Sequence, residues 1–331
     1  MLRSTSTKLA LVCVALLAAR RAAAQGCTRI VPLSAFDEHG RPIVGLTAQD
    51  FAATIHGKPV AILNAERDEQ PHRVVVILDA SGSMSVATGE WDLARAIAAD
   101  VLRAAPKAFQ AGLVVFNDAA VEKYPVGGDP RAAMDALTRI QVHAKGKPAK
   151  PGKPAGRTAI WDALDAAMEL LDPPQFGDAL YLISDAEDNA SKSTLKRVAA
   201  TIRERGARVY LVYFNPWGNL ATTALGSVYE TFDLVSNSGG SVVTVPSVTL
   251  GSSRTPSTYK ISASQLSQLN AELATLYGEM RFVYRLTVSL PDGLKKATPL
   301  KMGPSPSGAD RLRRGIVYPK VVDACSAGAR P

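Results

Sequence analysis

Two aspartates and three hydroxylated residues stand where aliphatic segments of the chain end or a helical segment begins. Asp79 closes the segment RVVVILD and is followed at once by Ser81 and Ser83. Asp185 closes DALYLISD in the same manner, and Thr158 stands just ahead of IWDALDAAMELL. All five side chains are hard oxygen donors with no His or Cys beside them. Such a set favours Mg²⁺, with Mn²⁺ or Ca²⁺ as alternatives, over Zn²⁺.

The segments around these residues predict a doubly wound α/β fold. Near-continuous aliphatic strands alternate with amphipathic helices, which indicates βαβ units and a mainly parallel sheet covered on both faces. In such a sheet, ligands bind beyond the carboxyl ends of the strands, so the five donors are expected to converge there. The predicted strands are 73–79, 111–117, 178–185 and 207–214, and the predicted helices are 91–105, 130–140, 160–171, 193–206 and 263–280.

The first 24 residues have the pattern of a secretory signal peptide. Arg3 and Lys8 precede an apolar run, and the small residues Ala22 to Ala24 form a cleavage site of the A-x-A type. An uncleaved membrane anchor is the alternative, but a run of about 11 apolar residues is too short to span a bilayer. We therefore expect an exported protein without an integral span in its mature chain, located in the periplasm, at the cell surface or outside the cell.

The net charge of the whole chain overstates the basic character of the mature protein. The 331 residues carry a formal charge of +8. The signal peptide holds four of the basic residues and no acidic one, so its removal leaves +4. The basic balance is thus a weak argument for nucleic-acid binding, and no nucleic-acid partner is expected.

Short β-rich runs with Gly-containing turns flank the α/β region on both sides. Residues 27–66 and 282–322 read as antiparallel strands. Neither flank is long enough to bury much core alone, so we expect the two to join in one small Ig-like β-sandwich, with two separate lobes as the alternative. The predicted organisation is a signal peptide at 1–24, a β segment at 25–71, an α/β domain at 72–280 and a second β segment at 281–331.

The mature chain keeps two cysteines, Cys27 and Cys325, one near each end. In an oxidising compartment two cysteines suggest one disulfide, which would tie the first and last strands of the sandwich. The alternative is lipid modification of Cys27, for which the preceding residues are a poor match.

The motifs D-x-S-x-S, G-R-T-A and S-D-A-E-D-N together resemble a von Willebrand factor A (VWA) domain with a metal-ion-dependent adhesion site (MIDAS). The lead-in DEHGRPIVGLTAQDF (37–51) is similar to that of exported bacterial VWA-related proteins. One departure is Ala186, since the residue after the second aspartate is commonly Gly in that family.

The resemblance implies a divalent cation held by five residues and completed by a carboxylate from a partner. The implied ligands are Asp79, Ser81, Ser83, Thr158 and Asp185. It therefore implies an adhesion or protein-interaction function, with a protein partner that offers an Asp or Glu side chain. The sequence leaves the partner, the metal and the oligomeric state open.

A basic loop lies immediately before Thr158 and is rich in Pro and Gly, which forbid a helix. At the rim of a metal site such a loop would steer an acidic partner toward it, whereas a merely exposed loop is the alternative. Its basic residues are Lys145, Lys147, Lys150, Lys153 and Arg157.

Two other functions compete with metal-dependent partner binding. The metal could be structural, with the partner bound by the β-sandwich instead. A metal-dependent hydrolase would need a general base or free nucleophile, and the sequence has no G-x-S-x-G or H-E-x-x-H motif. We therefore predict a binding module and not an enzyme.

Asp118, Asp188 and Asn189 are expected to be turn or cap residues, and the segment 246–262 is expected to be a surface insertion without an assigned role.

Overall fold

Fourteen strands are formed by the residues that a computed structural model describes, namely 27–85, 89–140, 157–214, 225–246, 261–312 and 315–325. The strands are β1 (Thr28–Ala35), β2 (Phe51–Ile55), β3 (Lys58–Val60), β4 (Ile62–Arg67), β5 (His72–Asp79), β6 (Phe109–Phe116), β7 (Ala120–Tyr124), β8 (Ala179–Ser184), β9 (Arg208–Phe214), β10 (Val242–Val245), β11 (Tyr284–Ser289), β12 (Thr298–Pro304), β13 (Ile316–Val317) and β14 (Val321–Val322).

Six α-helices accompany the strands in the same part of the chain. They are α1 (Glu90–Ala108), α2 (Pro130–Arg139), α3 (Ile160–Glu169), α4 (Leu195–Arg205), α5 (Leu225–Ser238) and α6 (Ala263–Arg281). Several begin and end at the signals that their sequences carry. Asp129 and Thr194 cap the first turns of α2 and α4 with their side chains. Gly206 ends α4 in the left-handed conformation, at φ +69°, which a residue without Cβ adopts freely.

The central sheet has six strands in the order β10-β9-β8-β5-β6-β7. All neighbours are parallel except β7, which runs antiparallel to β6. The aliphatic run of β5 is continuous because both faces are covered: Val74, Val76 and Leu78 pack into one core cluster, and Val75 and Ile77 into another. The predicted doubly wound, mainly parallel α/β fold is therefore confirmed.

The two flanks of the chain share their sheets. One antiparallel sheet has the order β13-β1-β11-β4 and the other β14-β12-β2-β3, so strands from before and after the α/β region pair with each other. Their inner faces form one core cluster, which excludes two separate lobes. The domain boundaries drawn from the sequence remain a prediction. The segment 315–322 forms two short strands in different sheets, not one strand, and the chain bends at Lys320 between them.

Cys27 and Cys325 form a disulfide, with their Cα atoms 6.2 Å apart. The bond joins the residue before β1 to the segment after β14, as the sequence suggested. Nothing among the described residues forms a helix long and apolar enough to cross a membrane. The predicted signal peptide, most of the basic loop before Thr158 and most of the 246–262 insertion lie outside the described residues.

Candidate metal site

Two neighbouring strands, β5 and β8, end at the same edge of the central sheet and lead to the two candidate aspartates. β5 lies between β6 and β8, with Asp79 opposite Phe116 and Leu78 opposite Ile183. This register places Asp79 beside Ser184, and Asp185 follows one residue later. The parallel pairing thus brings residues from about 105 positions apart to one place.

Asp79 is fully buried and its two oxygens are held by neighbours. Oδ1 accepts a hydrogen bond of 2.8 Å from the Ser81 amide, and Oδ2 accepts one of 2.6 Å from the Ser184 hydroxyl. Ser83 lies in a short 3₁₀ turn, Gly82–Ser85, and its hydroxyl is 2.9 Å from that of Ser81. The loop after β5 therefore turns both serine hydroxyls toward each other beside the aspartate.

Asp185 is also buried, and one of its oxygens lacks a partner. Oδ1 accepts a hydrogen bond of 3.3 Å from the Glu187 amide, whereas Oδ2 is inaccessible to solvent and bonded to no atom of the described residues. An unsatisfied buried carboxylate oxygen is unfavourable, and most such atoms in native proteins have a partner, which includes bound ions. Oδ2 of Asp185 is therefore the oxygen of the candidate site that a bound cation would stabilise most.

The electrostatics of the two aspartates also favour a bound cation. Burial raises the pKa of Asp79, against the hydrogen bonds of Ser184 and Ser81, which lower it. Burial also raises the pKa of Asp185, and the negative charge of Asp79 raises it further. Within the described residues, no Lys, Arg or His forms an ion pair with either carboxylate. A divalent cation would remove the repulsion between them.

Thr158 reaches this edge through the loop that follows Asp185. Its amide donates to Asn189 Oδ1 at 2.8 Å, and its carbonyl accepts from the Asn189 and Ala190 amides. The next residue, Ala159, donates to the Asn117 carbonyl at the end of β6. Thr158 is 1% exposed, and none of the described hydrogen bonds joins its hydroxyl to the other four candidates. The backbone of Thr158 is therefore tied to the loop that follows Asp185.

The cap residues do more than the sequence indicated. Asp188 Oδ1 accepts from the Ile160 amide at 2.8 Å, and the Ser191 hydroxyl accepts from the Trp161 amide at 2.9 Å. They satisfy the first turn of α3, for which the preceding Ala159 offers no capping side chain. Asp188, Asn189 and Ser191 thus position the Thr158 segment. Sequence reasoning also missed Ser184, although a polar residue inside a buried aliphatic strand was a signal.

The steering loop is described only at its last residue. Arg157 is exposed, and its guanidinium donates to the Asn189 carbonyl at 3.2 Å. Lys145, Lys147, Lys150 and Lys153 lie outside the described residues. Steering by this loop stays a prediction.

The donor set fits a hard divalent cation. In the part of the chain that the structure describes, no three His, Cys, Asp or Glu side chains gather in a way that could hold a metal. Two carboxylates and up to three hydroxyls therefore make this site, and such oxygen ligands suit Mg²⁺ or Mn²⁺. A divalent ion held by such a donor set would keep coordination positions for water or for an oxygen of a partner.

A parallel sheet wrapped by helices, with a D-x-S-x-S loop at its carboxyl edge, defines a VWA-type domain. The model of the family described as "VWA domain containing CoxE-like protein" matches residues 50–225. That match spans more than half of the chain, and the protein belongs to this family. No curated protein matches the chain.

Solved structures of several VWA-related proteins are similar to the chain. Proximal thread matrix protein 1 from the mussel byssus, with a zinc-occupied MIDAS motif, is 15% identical at a TM-score of 0.46, and the match covers 67% of this chain and 49% of that one. The chain thus spans about half the length of that protein. BatB from Bacteroides thetaiotaomicron is 18% identical at a TM-score of 0.39, and the match covers 62% of this chain and 99% of BatB. A von Willebrand factor type A protein from Catenulispora acidiphila is 14% identical at a TM-score of 0.43, and the match covers 85% of this chain and 74% of that one.

Proposed function

We propose that this VWA protein is exported and binds a protein partner through a divalent cation held at the carboxyl edge of its central sheet. The observation that carries the proposal is the buried, unpartnered Oδ2 of Asp185 beside the second buried carboxylate, Asp79. A cation would satisfy that oxygen, and the all-oxygen donor set favours Mg²⁺, with Mn²⁺ or Ca²⁺ as alternatives.

The proposed ligands are Asp79, Ser81, Ser83, Thr158 and Asp185. The two carboxylates, when both are ionised, balance the charge of a divalent ion, and the neutral hydroxyls add donors without further charge. An acidic side chain of the partner then completes the coordination shell in exchange for water. Binding is therefore expected to depend strictly on the cation, with affinity and specificity shared between the ion and the surrounding surface.

Binding is favoured over catalysis by the state of the two serines. Their hydroxyls contact each other and Ser81 lies 1% exposed beside Asp79, so neither is poised with a general base as a nucleophile. The four histidines of the chain stand at 39, 56, 72 and 143. Of these His72 is at the opposite end of β5, and His39 and His56 lie in the flanking β segments.

The metal is tested first, with Asp185→Asn as the variant and Asp118→Asn as the matched control. Asp118 is an exposed aspartate near the end of β6, so its change removes the same charge outside the donor set. Mg²⁺ at about 100 times its dissociation constant raises the free energy of unfolding by about 2.7 kcal/mol in the wild type and in Asp118→Asn. Asp185→Asn is expected to lose that response, and to be more stable than the wild type in EDTA.

The partner is tested by capture from a native envelope extract, with Mg²⁺ and with EDTA side by side. Proteins retained by the wild type in Mg²⁺, and absent with EDTA or with Asp185→Asn, support the proposal. Capture that persists in EDTA while the melting temperature falls would instead assign the metal a structural role and the partner to the β-sandwich. Ester or phosphate hydrolysis that disappears in Asp185→Asn would establish an enzyme.

A further inference from the structure

Ser184 is the last residue of β8, directly before Asp185, and it is not one of the proposed metal ligands. The rest of β8 is the apolar and aromatic run ALYLI, and the Ser184 side chain is 0% exposed. A hydroxyl at such a buried position is unfavourable unless it forms hydrogen bonds. The partners of the Ser184 hydroxyl therefore indicate what this residue does.

Two contacts use the hydrogen-bonding capacity of the Ser184 hydroxyl, and the chemistry of the partners sets their directions. The Ala186 amide can only donate, so the hydroxyl oxygen accepts its hydrogen bond, at 3.0 Å. An ionised carboxylate can only accept, so the hydroxyl proton is donated to Asp79 Oδ2, at 2.6 Å. Such a charge-assisted hydrogen bond is stronger than one between neutral groups.

Ser184 completes the hydrogen bonding that orients the Asp79 carboxylate. Oδ1 accepts from the Ser81 amide at 2.8 Å, and Oδ2 accepts from Ser184. One hydrogen bond on each oxygen fixes the rotation of the carboxylate about its Cβ–Cγ bond. Each oxygen keeps a second lone pair, so the fixed carboxylate can still face a cation or a water molecule bound to one.

The same hydroxyl also holds the backbone that follows Asp185. The Ala186 amide donates to Ser184, and the Ala186 carbonyl accepts from the Thr231 hydroxyl at 3.3 Å. Both backbone polar groups of Ala186 are thus fixed at a position where φ is +63°. Through one side chain, Ser184 therefore joins the carboxylate of Asp79 to the turn that carries Asp185.

We propose that Ser184 is a positioning residue of the metal site, whose hydroxyl sets the orientation of Asp79 and its spacing from Asp185. This inference rests on the proposed function, because it needs a divalent cation at the carboxyl edge of the sheet. Ser184 acts through Asp79 and is not itself a ligand. Residues that orient metal ligands in this way typically contribute about 10- to 100-fold to metal affinity.

The test is isothermal titration calorimetry of the full mature chain. The wild type is titrated with Mg²⁺, Mn²⁺ and Ca²⁺ in turn, and the ion that binds most tightly is used for the variants. Ser184→Ala is expected to weaken that ion about 10- to 100-fold. Ser184→Thr keeps the hydroxyl and is expected to stay within about threefold of the wild type. If Ser184→Ala does not fold, Ser184→Cys takes its place with the same expected loss, because a thiol is only a weak donor.

The matched control is Ser34→Ala, which removes another hydroxyl that is 0% exposed and that bridges two partners. Ser34 donates to the Glu279 carbonyl at 2.8 Å and accepts from Arg208 at 3.2 Å, near the start of β9. Urea unfolding in EDTA is expected to show a loss of stability in both Ser34→Ala and Ser184→Ala. The affinity of Ser34→Ala for the ion is expected to stay within about twofold of the wild type, since its lost hydrogen bonds hold no metal ligand.

A double-mutant cycle with Asp79→Ala tests whether Ser184 acts through Asp79. Asp79→Ala removes the acceptor of the Ser184 hydroxyl, so the further change Ser184→Ala is expected to weaken the ion less than about twofold. A wild type that binds none of the three ions overturns the proposed function, and this inference with it. If the wild type binds an ion, equal affinity in Ser184→Ala overturns the inference alone. So does a Ser184→Thr variant that binds as weakly as Ser184→Ala, or a loss that persists in full in the Asp79→Ala background.

Discussion

The two ends of the central sheet both bury charged side chains, but only at the amino end does a described arginine pair with a buried carboxylate. At the amino ends of the strands, Arg73 next to the start of β5 pairs with Asp178 just before β8, and both are almost fully buried. At the carboxyl ends, Asp79 and Asp185 are buried as deeply and have no described cation between them. The same sheet thus carries one buried carboxylate that is paired with an arginine and two buried carboxylates that are not.

The amino end is held by two buried arginines, although Nε of Arg208 and Nε2 of His72 are buried there without a hydrogen-bond partner among the described residues. Arg73 forms two parallel hydrogen bonds to Asp178, at 2.8 and 2.7 Å, and also donates to the carbonyls of Leu171 and Pro173. Arg208 donates to the Ser34 hydroxyl and to the carbonyl of Glu279. The second contact set joins β9 to β1 and to the end of α6, so this end fixes the β-sandwich against the α/β domain.

We interpret the difference as one between a polar pair that stabilises the fold and the proposed metal site. A cluster that supplies its own counter-charges stabilises the structure as it stands. A cluster that leaves a carboxylate oxygen unpartnered lowers stability until something else binds. The carboxyl end is therefore where a ligand changes the stability of this protein most.

The largest expected effect is the loss of stability when the ion pair at the amino ends of the strands is broken. Arg73→Met leaves Asp178 buried without its partner, and removal of one member of a buried ion pair typically costs about 3–5 kcal/mol. The loss is expected to be equal in Mg²⁺ and in EDTA, because the pair lies at the opposite end of the sheet from the proposed metal. Urea unfolding, read from the midpoint at constant slope, measures it.

The matched control for Arg73→Met is Lys123→Met, which opens the ion pair with Glu169. Those two side chains are 42% and 68% exposed, so the loss is expected to stay within about 1 kcal/mol. A loss below about 1 kcal/mol for Arg73→Met as well would show that the amino end does not stabilise the fold in the way described.

A smaller effect on the free energy of unfolding, about 1 kcal/mol or more, is expected when a change of pH titrates Asp185 at the carboxyl end of the sheet. The pKa of Asp185 is raised in the folded state by burial and by Asp79, so the folded protein binds more protons than the unfolded one above pH ~4. In EDTA this contribution to stability is therefore lost as pH rises from about 4 through the raised pKa. Bound Mg²⁺ holds the carboxylates ionised, so the stabilisation by the metal grows with pH over the same window.

The measurement is the difference in melting temperature between Mg²⁺ and EDTA across pH 4 to 8. Burial lowers the pKa of His72 at the other end of the sheet, so its contribution has the opposite sign and is lost as pH falls below ~6.5. It is the same with and without metal and cancels in the difference. A difference that stays flat with pH, or that shrinks as pH rises, contradicts the account of the carboxyl end.

Much of the arrangement at the carboxyl end could be predicted from the sequence. The motif D-x-S-x-S begins at the end of a strand whose residues 74–78 are all apolar, and parallel strands end at one edge. The contacts among Asp79, Ser81 and Ser83, and the place of Asp185, follow from those two facts. That these residues bind a metal stays a prediction.

Other elements could not be predicted, for physical reasons. The helix α5 (Leu225–Ser238) contains Gly226 and several Ser, Thr, Asn and Asp residues of modest helix propensity, and it is held by the tertiary burial of Val228, Leu234 and Val235. The ion pair of Arg73 and Asp178 joins residues 105 positions apart. Neither residue type nor spacing indicates such a partner before the strand order is known.

The smallest expected effect on the free energy of unfolding concerns Ala186, the residue after Asp185. Ala186 is buried and has φ +63°, in the left-handed region that is unfavourable by about 1–2 kcal/mol for residues with a Cβ. Gly removes that penalty but gains about 0.5–1 kcal/mol of freedom in the unfolded chain. Ala186→Gly is therefore expected to raise the free energy of unfolding by up to about 1 kcal/mol, measured by urea unfolding in EDTA.

Ala80→Gly is the control for this substitution, because Ala80 follows Asp79 at the same edge as Ala186 follows Asp185 and is 9% exposed. It has no positive φ to relieve, so it is expected to destabilise the protein by about 1 kcal/mol. If Ala186→Gly destabilises as much as Ala80→Gly, the backbone after Asp185 is not strained. If the two differ in sign, the carboxyl end holds backbone strain beside its unpartnered carboxylate, and both are features of a site built to be completed by a ligand.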